Sequence, residues 1–342
     1  MGKNLLTIAL LCGLIVAMVV VTKLLGVRLF DRIAINLCIA LVLVLGLQVF
    51  MGNSGILSFA HIGFMGVGAY TSALLTIPSR MKGMSLPDLD PFFAAIELSP
   101  YLGILIGGLA AALVAAAVSY PLMRLSDAAA VITSFALLVV LHTVMTHWSA
   151  VTNGPRTLFG LPRATDLWLA AGAAIVAVVA AVAFKESRTG LLLRSSRDDE
   201  VASGAMGVHI PRLRWQAFIL SALFAGIGGA LWGHFITSFS PKAFFLKETF
   251  VILSMLVIGG ANTVTGAVFG AFIVTAAFES LRATEAGLNK LDIFSEQVVG
   301  LTEIVLALAM IAVLALRPGG LFATQEIGVL LTRRRNKRED SP

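Results

Sequence analysis

Few polar side chains interrupt the apolar stretches of this chain, so those that do are the candidates for chemistry. Asn53, Ser54, Ser58 and His61 cluster beside Gly52 and Gly55, between two strongly apolar runs. Small hydrogen-bonding side chains on a glycine-loosened backbone suit the lining of a passage for a zwitterion or an amide. Each also has a structural use. His61 can sit inside a bundle bonded to a neighbouring carbonyl, and Asn53 and Ser54 can cap the helix that follows. Glu303 lies several residues inside the last apolar run. A carboxylate in hydrocarbon costs on the order of 2.5–3.5 kcal/mol by insertion scales, so it needs a partner. Arg282 or a second subunit would supply one. Glu279 and Arg282 stand three apart, the spacing of a local pair on one helix.

No catalytic set accompanies these residues. The sequence holds no G-x-x-x-x-G-K-[ST] phosphate loop, no H-E-x-x-H and no G-x-S-x-G. Ser58 with His61, and His142 with His147, come nearest to a reactive pair, and no motif supports either. Cys12 and Cys38 lie inside apolar runs without zinc-ligand spacing, and read as small packing residues. The sequence therefore predicts no catalytic residue, no metal site and no cofactor within this chain.

The elements that position these residues follow from composition. Of 342 residues, 58% are hydrophobic and 13% charged, with a mean hydropathy of +0.93. An ordinary soluble domain carries about 25% charged residues, so a soluble enzyme and a disordered chain are both excluded. Apolar runs recur at 5–22, 33–51, 56–77, 101–120, 128–147, 167–184, 215–236, 249–260, 264–281 and 298–316. Most are near 30 Å long if helical, at about 1.5 Å per residue, and 249–260 is shorter, at about 18 Å. Runs such as 170–183 are continuous and not alternating, which excludes a β-barrel. The predicted fold is all-α: a polytopic membrane helix bundle of about ten transmembrane segments, with a broken or re-entrant helix near 52–55. Residues 1–322 form the transmembrane domain, including a polar loop at 185–214, and 323–342 form a basic tail. The glycine-rich break at 52–55 has an echo at 259–263, the pairing expected of repeat-built transporters. Small residues at 225–230, and Gly266 with Gly270, permit close helix packing.

Lys and Arg set the orientation. Lys185, Arg188, Arg194, Arg197, Arg212 and Arg214 crowd one loop, and Arg333, Arg334, Arg335, Lys337 and Arg338 crowd the tail. Both belong on the cytoplasmic side. An even number of spans between them agrees, and ten spans place the N-terminus inside as well. Lys23, Arg28 and Arg32 then fall outside, against the rule. If 56–77 re-enters instead of spanning, that conflict goes but the N-terminus moves outside. The net charge of +6 is concentrated in these loops and does not predict nucleic-acid binding. The tail basics suit a topology anchor or contact with anionic lipid.

The loop 190–211 reads as helix–turn–helix, with Arg197-Asp198-Asp199-Glu200 at its centre. It is too short for a domain and has the amphipathic character of a docking element. A chain without a phosphate loop, carrying such a knob, predicts energy supplied by a partner. Here the residues resemble a known family. Gly55-Ile56-Leu57-Ser58-Phe59-Ala60-His61-Ile62-Gly63-Phe64-Met65-Gly66-Val67-Gly68-Ala69-Tyr70 is similar to the signature of LivM-type permeases of branched-chain amino acid ABC importers. The likeness continues at 152–155, 187–207, 217–231, 257–271 and 317–322.

That resemblance implies a heterodimer with a second homologous permease, two cytoplasmic ATPase subunits that use ATP and Mg, and a periplasmic or extracellular substrate-binding protein. It implies the bacterial inner membrane, with the C-terminus cytoplasmic. It also implies that Glu200, Ala202 and Gly207, flanked by Arg197 and Asp198, form the coupling helix for the ATPase. The family's acidic-plus-alanine run departs here at Val201 and Ser203. Urea, short amides or aromatic acids are alternative cargoes for the same architecture. A stand-alone secondary transporter or channel is the alternative of a different class.

Overall fold

A computed structural model describes residues 2–290, 300–317, 319–322 and 326–328. Among them the helices run α1 Gly2–Leu25, α2 Arg28–Ser54, α3 His61–Thr76, α4 Ser79–Ser85, α5 Pro91–Ala95, α6 Pro100–Ser119, α7 Asp127–His147 and α8 Ser149–Thr152. They continue as α9 Leu167–Glu186, α10 Arg188–Asp198, α11 Glu200–Ala205, α12 Ile210–Ile236, α13 Leu246–Gly259, α14 Val264–Lys290 and α15 Leu301–Leu316. Two short strands, β1 Leu158–Phe159 and β2 Ser238–Phe239, pair antiparallel with Leu158 opposite Phe239. The fold is an all-α polytopic bundle. Seven helices are long and apolar enough to cross a membrane. The shorter apolar helices α3, α13 and α15 complete the ten hydrophobic segments. The basic residues at 333–338, and with them most of the tail 323–342, lie outside the described residues.

Local signals explain many of the boundaries. Pro100 and Pro211 open α6 and α12, where a missing N–H costs no helical bond. Asp166, Ser187 and Asp199 cap α9, α10 and α11 by accepting from Leu169 N, Gly190 N and Ala202 N. Gly55 closes α2 in the left-handed region, φ +74°. The glycine-rich break thus begins later than expected. Gly52, Asn53 and Ser54 are still helical, and the chain is extended only after Gly55. Asn53 and Ser54 do not cap the next helix. Their side chains donate back to Val49 O at 2.9 Å and Phe50 O at 2.8 Å, finishing the helix they belong to.

The segment after the break turns back into the bundle. Residues 56–60 carry the chain from the end of α2 to His61, which bonds Ser221 in the middle of α12. Ser221 is about 16 Å along α12 from Ile210 at the usual helical rise. α3 therefore starts partway through the bundle, and it then runs to the far end beside α6. Its residues Gly68, Ser72 and Thr76 meet Gly107 and Gly103 of α6 in antiparallel order. Residues 56–60 thus form a non-helical connection reaching into the bundle, and α3 occupies the rest of 56–77. A matching segment enters from the other end between α12 and α13. There the short turn Pro241–Phe244 places Phe244 against Tyr70 of α3 and Trp232 of α12, at 5.8 and 5.6 Å between ring centroids.

The N-terminal end of α1 lies at the same end of the bundle as residues 326–328, where Gly328 N–H donates to Thr7 Oγ1 at 3.2 Å. Residues 23–32 consequently lie at the opposite end. There Lys23 pairs with Asp31 at 3.1 Å, which offsets part of the basic charge that conflicted with the orientation.

α2 and α12 form the core, with α3 and α6 against them, and small residues set the spacing. A Cβ at Gly229 would stand 1.9 Å from Met65 O of α3, and one at Gly226 would stand 2.5 Å from Ala111 Cβ of α6. No side chain fits at such crossings. Gly229→Val should therefore destabilise the bundle by about 1–3 kcal/mol or more, the usual cost of overpacking. Gly172→Ala in α9, where an added Cβ meets nothing within 4 Å, should not. Thermal unfolding of the two variants in detergent checks this. Equal midpoints would refute the close packing of α3 on α12.

Candidate functional site

The two glycine-rich breaks, separated by some two hundred residues in sequence, meet in space. A Cβ at Gly52 would lie 2.2 Å from Ala261 O. Arg197, near the end of α10, joins them. Its Nη1 donates to Gly52 O at 2.8 Å and to Asn262 Oδ1 at 2.9 Å. Its aliphatic stem lies over Gly55, where a Cβ would be 2.6 Å from Arg197 Cγ. Gly55 thus needs both its positive φ and its bare backbone. The guanidinium supplies donors to a helix end whose carbonyls have no intrahelical partner.

A second cation completes the junction. Lys185, at the end of α9, donates to Asn262 O at 3.0 Å and pairs with Glu326 at 2.5 Å, and both side chains are nearly buried. Glu326 also accepts from Val264 N, Thr265 N and Thr265 Oγ1, so it caps α14 as well as neutralising Lys185. Burial by itself would raise the Glu326 carboxyl. The Lys185 ammonium and the Thr265 donors outweigh that and hold it below the usual carboxylate range. The described part of 317–322 seals the same place. Leu321 N and Phe322 N donate to Ile258 O and Gly259 O, each at 2.9 Å. Phe322 stacks on Phe269 at 4.9 Å between centroids.

α10 and α11 rise from this base. Arg214 of α12, almost wholly buried, pairs with Glu200 at 2.8 Å and reaches Leu125 O at 3.2 Å. Asp198 is exposed beside Arg197, at 3.5 Å. Ala202 is exposed, and Gly207 follows α11 at φ +82° with open space around it. Val201 and Met206 are each 84% exposed. Of the residues expected to couple, Arg197 and Glu200 thus hold the element to the bundle. Asp198, Ala202 and Gly207 belong to its outward side, together with Met206 and with Val201, which the sequence marked only as a departure from the family's pattern.

The polar cluster near the first break is buried. Asn53 and Ser54 bond within α2. His61 bonds Ser221, whose hydroxyl in turn donates to Gly46 O of α2. Ser54 borders a cavity of about 400 Å³ shared with Arg197, Glu200 and Arg214. Ser58 borders a much smaller one beside Phe50 and Phe218. Asn53 Oδ1, Ser58 Oγ and His61 Nδ1 have no hydrogen-bond partner among the described residues.

Two pairings differ from expectation. Glu303 pairs with Lys247 of α13 at 2.6 Å, and not with Arg282. Glu279 and Arg282 form no ion pair within 4 Å with each other and instead face one cavity. Lys185 and Ser221 were missed. Lys185 had a signal, a cation at the very end of an apolar run; Ser221, one hydroxyl in a long helix, had none.

This arrangement defines a multi-pass permease-type bundle, in which broken helices are tied to a polar loop. The chain belongs to the family described as branched-chain amino acid transport system / permease component, whose model matches residues 29–314. It is 25% identical over 278 residues to the high-affinity branched-chain amino acid transport system permease protein LivM of Escherichia coli K12, covering 71% of this chain and 61% of that protein. It is 25% identical over 284 residues to LivM of Salmonella typhimurium, covering 73% and 63%. A shorter match, 27% over 92 residues, links it to the nucleoside ABC transporter permease protein NupC of Lactococcus lactis, covering 27% and 29%. The matched region thus spans about six-tenths of the LivM relatives' length. No solved structure matches this chain.

The Glu326 pair yields a pH test. A folded-state pKa below the unfolded value, about 4.3 for Glu, gives a stability contribution that is complete above that value. It is lost as pH falls through the lower folded value. Glu326→Gln should cost about 3 kcal/mol at neutral pH, since it strands Lys185. The deficit should shrink below about pH 4.3. Unfolding curves of both proteins across pH check this, and a constant gap would contradict it.

Proposed function

We propose that this chain is a permease subunit of an ATP-driven importer for branched-chain or related amino acids in a bacterial inner membrane. Family membership supports the transport role. The observation that carries the coupling is the attachment of α10–α11 to both helix breaks through Arg197. In this reading the basic loop faces the cytoplasm by the positive-inside rule. The end of α15 returns to the same side, as the pairing of 321–322 with 258–259 favours. The outward side of α11 docks on a separate ATPase subunit, where ATP and Mg are consumed. A second homologous permease completes the pore, and a binding protein on the opposite face delivers the substrate.

The mechanism follows from the junction. A partner that binds one conformation more tightly shifts the population toward it. Movement of α11 is passed through the short α10 to Arg197, and from there to the ends of α2 and α13 together. The re-entrant segment 56–60 hangs from the first of these. Asn53, Ser54, Ser58 and His61 move with it. The unpaired polar atoms of Asn53, Ser58 and His61, each worth about 1–3 kcal/mol when left unsatisfied, are the groups a zwitterion or its water would meet.

The test is uptake in liposomes with purified components. Transport should require the ATPase subunits, and uptake that persists without them would overturn the reading. Val201→Asp with Met206→Asp should lower ATPase co-purification and uptake about tenfold or more, as expected of apolar anchors at an interface. Both side chains are exposed, so the melting midpoint should hold. Arg197→Met should instead leave the ATPase bound and hydrolysing while uptake falls. Normal uptake by that variant would refute transmission through the junction.

A further inference from the structure

A second polar cluster lies away from the junction, in a cavity of about 190 Å³ between α2, α13 and α14. Each helix contributes one stripe at helical spacing. On α2 it includes Asn36, Ile39, Ala40 and Leu43, on α13 Glu248, Val251, Ile252 and Met255, and on α14 Thr275, Phe278, Glu279 and Arg282. The stripes are graded in the same sense. Asn36, Glu248 and Arg282 stand toward the ends away from the junction, while Leu43 and Met255 stand toward it. The result is a cleft with a charged mouth and an aliphatic floor.

The charges at the mouth are not used up by the fold. Lys247 is committed to Glu303, at 2.6 Å. The side chains of Glu248 and Arg282 make no hydrogen bond or ion pair among the described residues. Thr275 Oγ1 is buried without a partner among the described residues, although a helical threonine can usually bond the carbonyl one turn back. Glu248 is about 16 Å along α13 from Gly259 at the standard rise, which on the importer reading, with Gly259 at the cytoplasmic end, sets it within the depth of a hydrocarbon layer about 30 Å thick. An ionisable group at that depth is costly and marks a ligand or ion pathway unless it is paired.

We propose that this cleft binds a zwitterionic aliphatic α-amino acid. Glu248 receives the ammonium, with Glu279 beside it. Arg282 receives the carboxylate. Leu43, Val251 and Met255 pack the side chain. Acidic groups, Glu248 and Glu279, and one base, Arg282, at the mouth can meet the ammonium and the carboxylate of a zwitterion, and the floor matches an alkyl group. The inference rests on the amino-acid import reading and adds to it a place within this chain where cargo is held.

The assembled transporter in nanodiscs, without its binding protein, should bind radiolabelled leucine. Competition should be strong by leucine and about tenfold or more weaker by 4-methylpentanoate and 3-methylbutylamine, each lacking one charged contact. Glu248→Gln should weaken leucine about tenfold or more and leave 4-methylpentanoate unchanged. Arg282→Gln should weaken leucine and leave 3-methylbutylamine unchanged. Val251→Phe should weaken leucine more than alanine, a size dependence that a misfolded protein would not give. Wild-type complex that imports leucine but binds none in this assay, or variants with wild-type affinities, would overturn the cleft and leave the importer standing. A complete complex that imports no amino acid would overturn both.

Discussion

A helix that ends inside a membrane protein leaves carbonyl groups that must find donors, and the Arg197 guanidinium is the donor that everything else in this molecule is arranged around. It holds Gly52 O on one interrupted segment and Asn262 on the other. Because the planar fork reaches both at once, the ends of α2 and α13 are fixed relative to each other through a side chain of the polar loop and not by direct packing alone. Lys185 and Glu326 add a second tie to the same place. The bundle is thereby divided into a tightly packed body and a joint whose geometry depends on a few charge-assisted bonds.

The body is suited to moving as a unit. α2, α3, α6 and α12 cross at glycines whose backbone touches backbone. Interfaces of that kind slide or separate poorly but transmit displacement well, since close-packed interiors are hard to compress. The re-entrant segments at 56–60 and 237–245 are different. They are largely irregular connections between helices, the second holding the short turn Pro241–Phe244, and the first is tethered at the joint by Gly55 and inside the bundle by His61. A displacement of the joint therefore has somewhere to go.

Family membership and the LivM relatives fit this division of labour, since a permease component is one part of a larger system. The polar groups fall into two sets that face opposite ends. One set, around Arg197, is engaged in internal ion pairs and hydrogen bonds to remote parts of the chain. The other, around Glu248 and Arg282, is not. The contrast separates a structural network from one with capacity left for something else.

Much of the architecture was legible in the sequence because lipid admits few solutions. Continuous apolar runs had to be helices, so the segments, the break near 52–55 and the projecting loop could all be read from residue type and spacing. The exact place of the break could not, because Asn53 and Ser54 bond backward to Val49 and Phe50, a choice made by local geometry that their identities leave open. Tertiary structure alone decided the pairings. Arg197 finds two partners remote in sequence, Glu303 takes Lys247 over Arg282, and Ser221 meets His61 across the core. Hydropathy is a property of each segment and is written along the chain. Which charge meets which depends on how helices are rotated and offset against one another, and that is settled only when the glycine crossings lock.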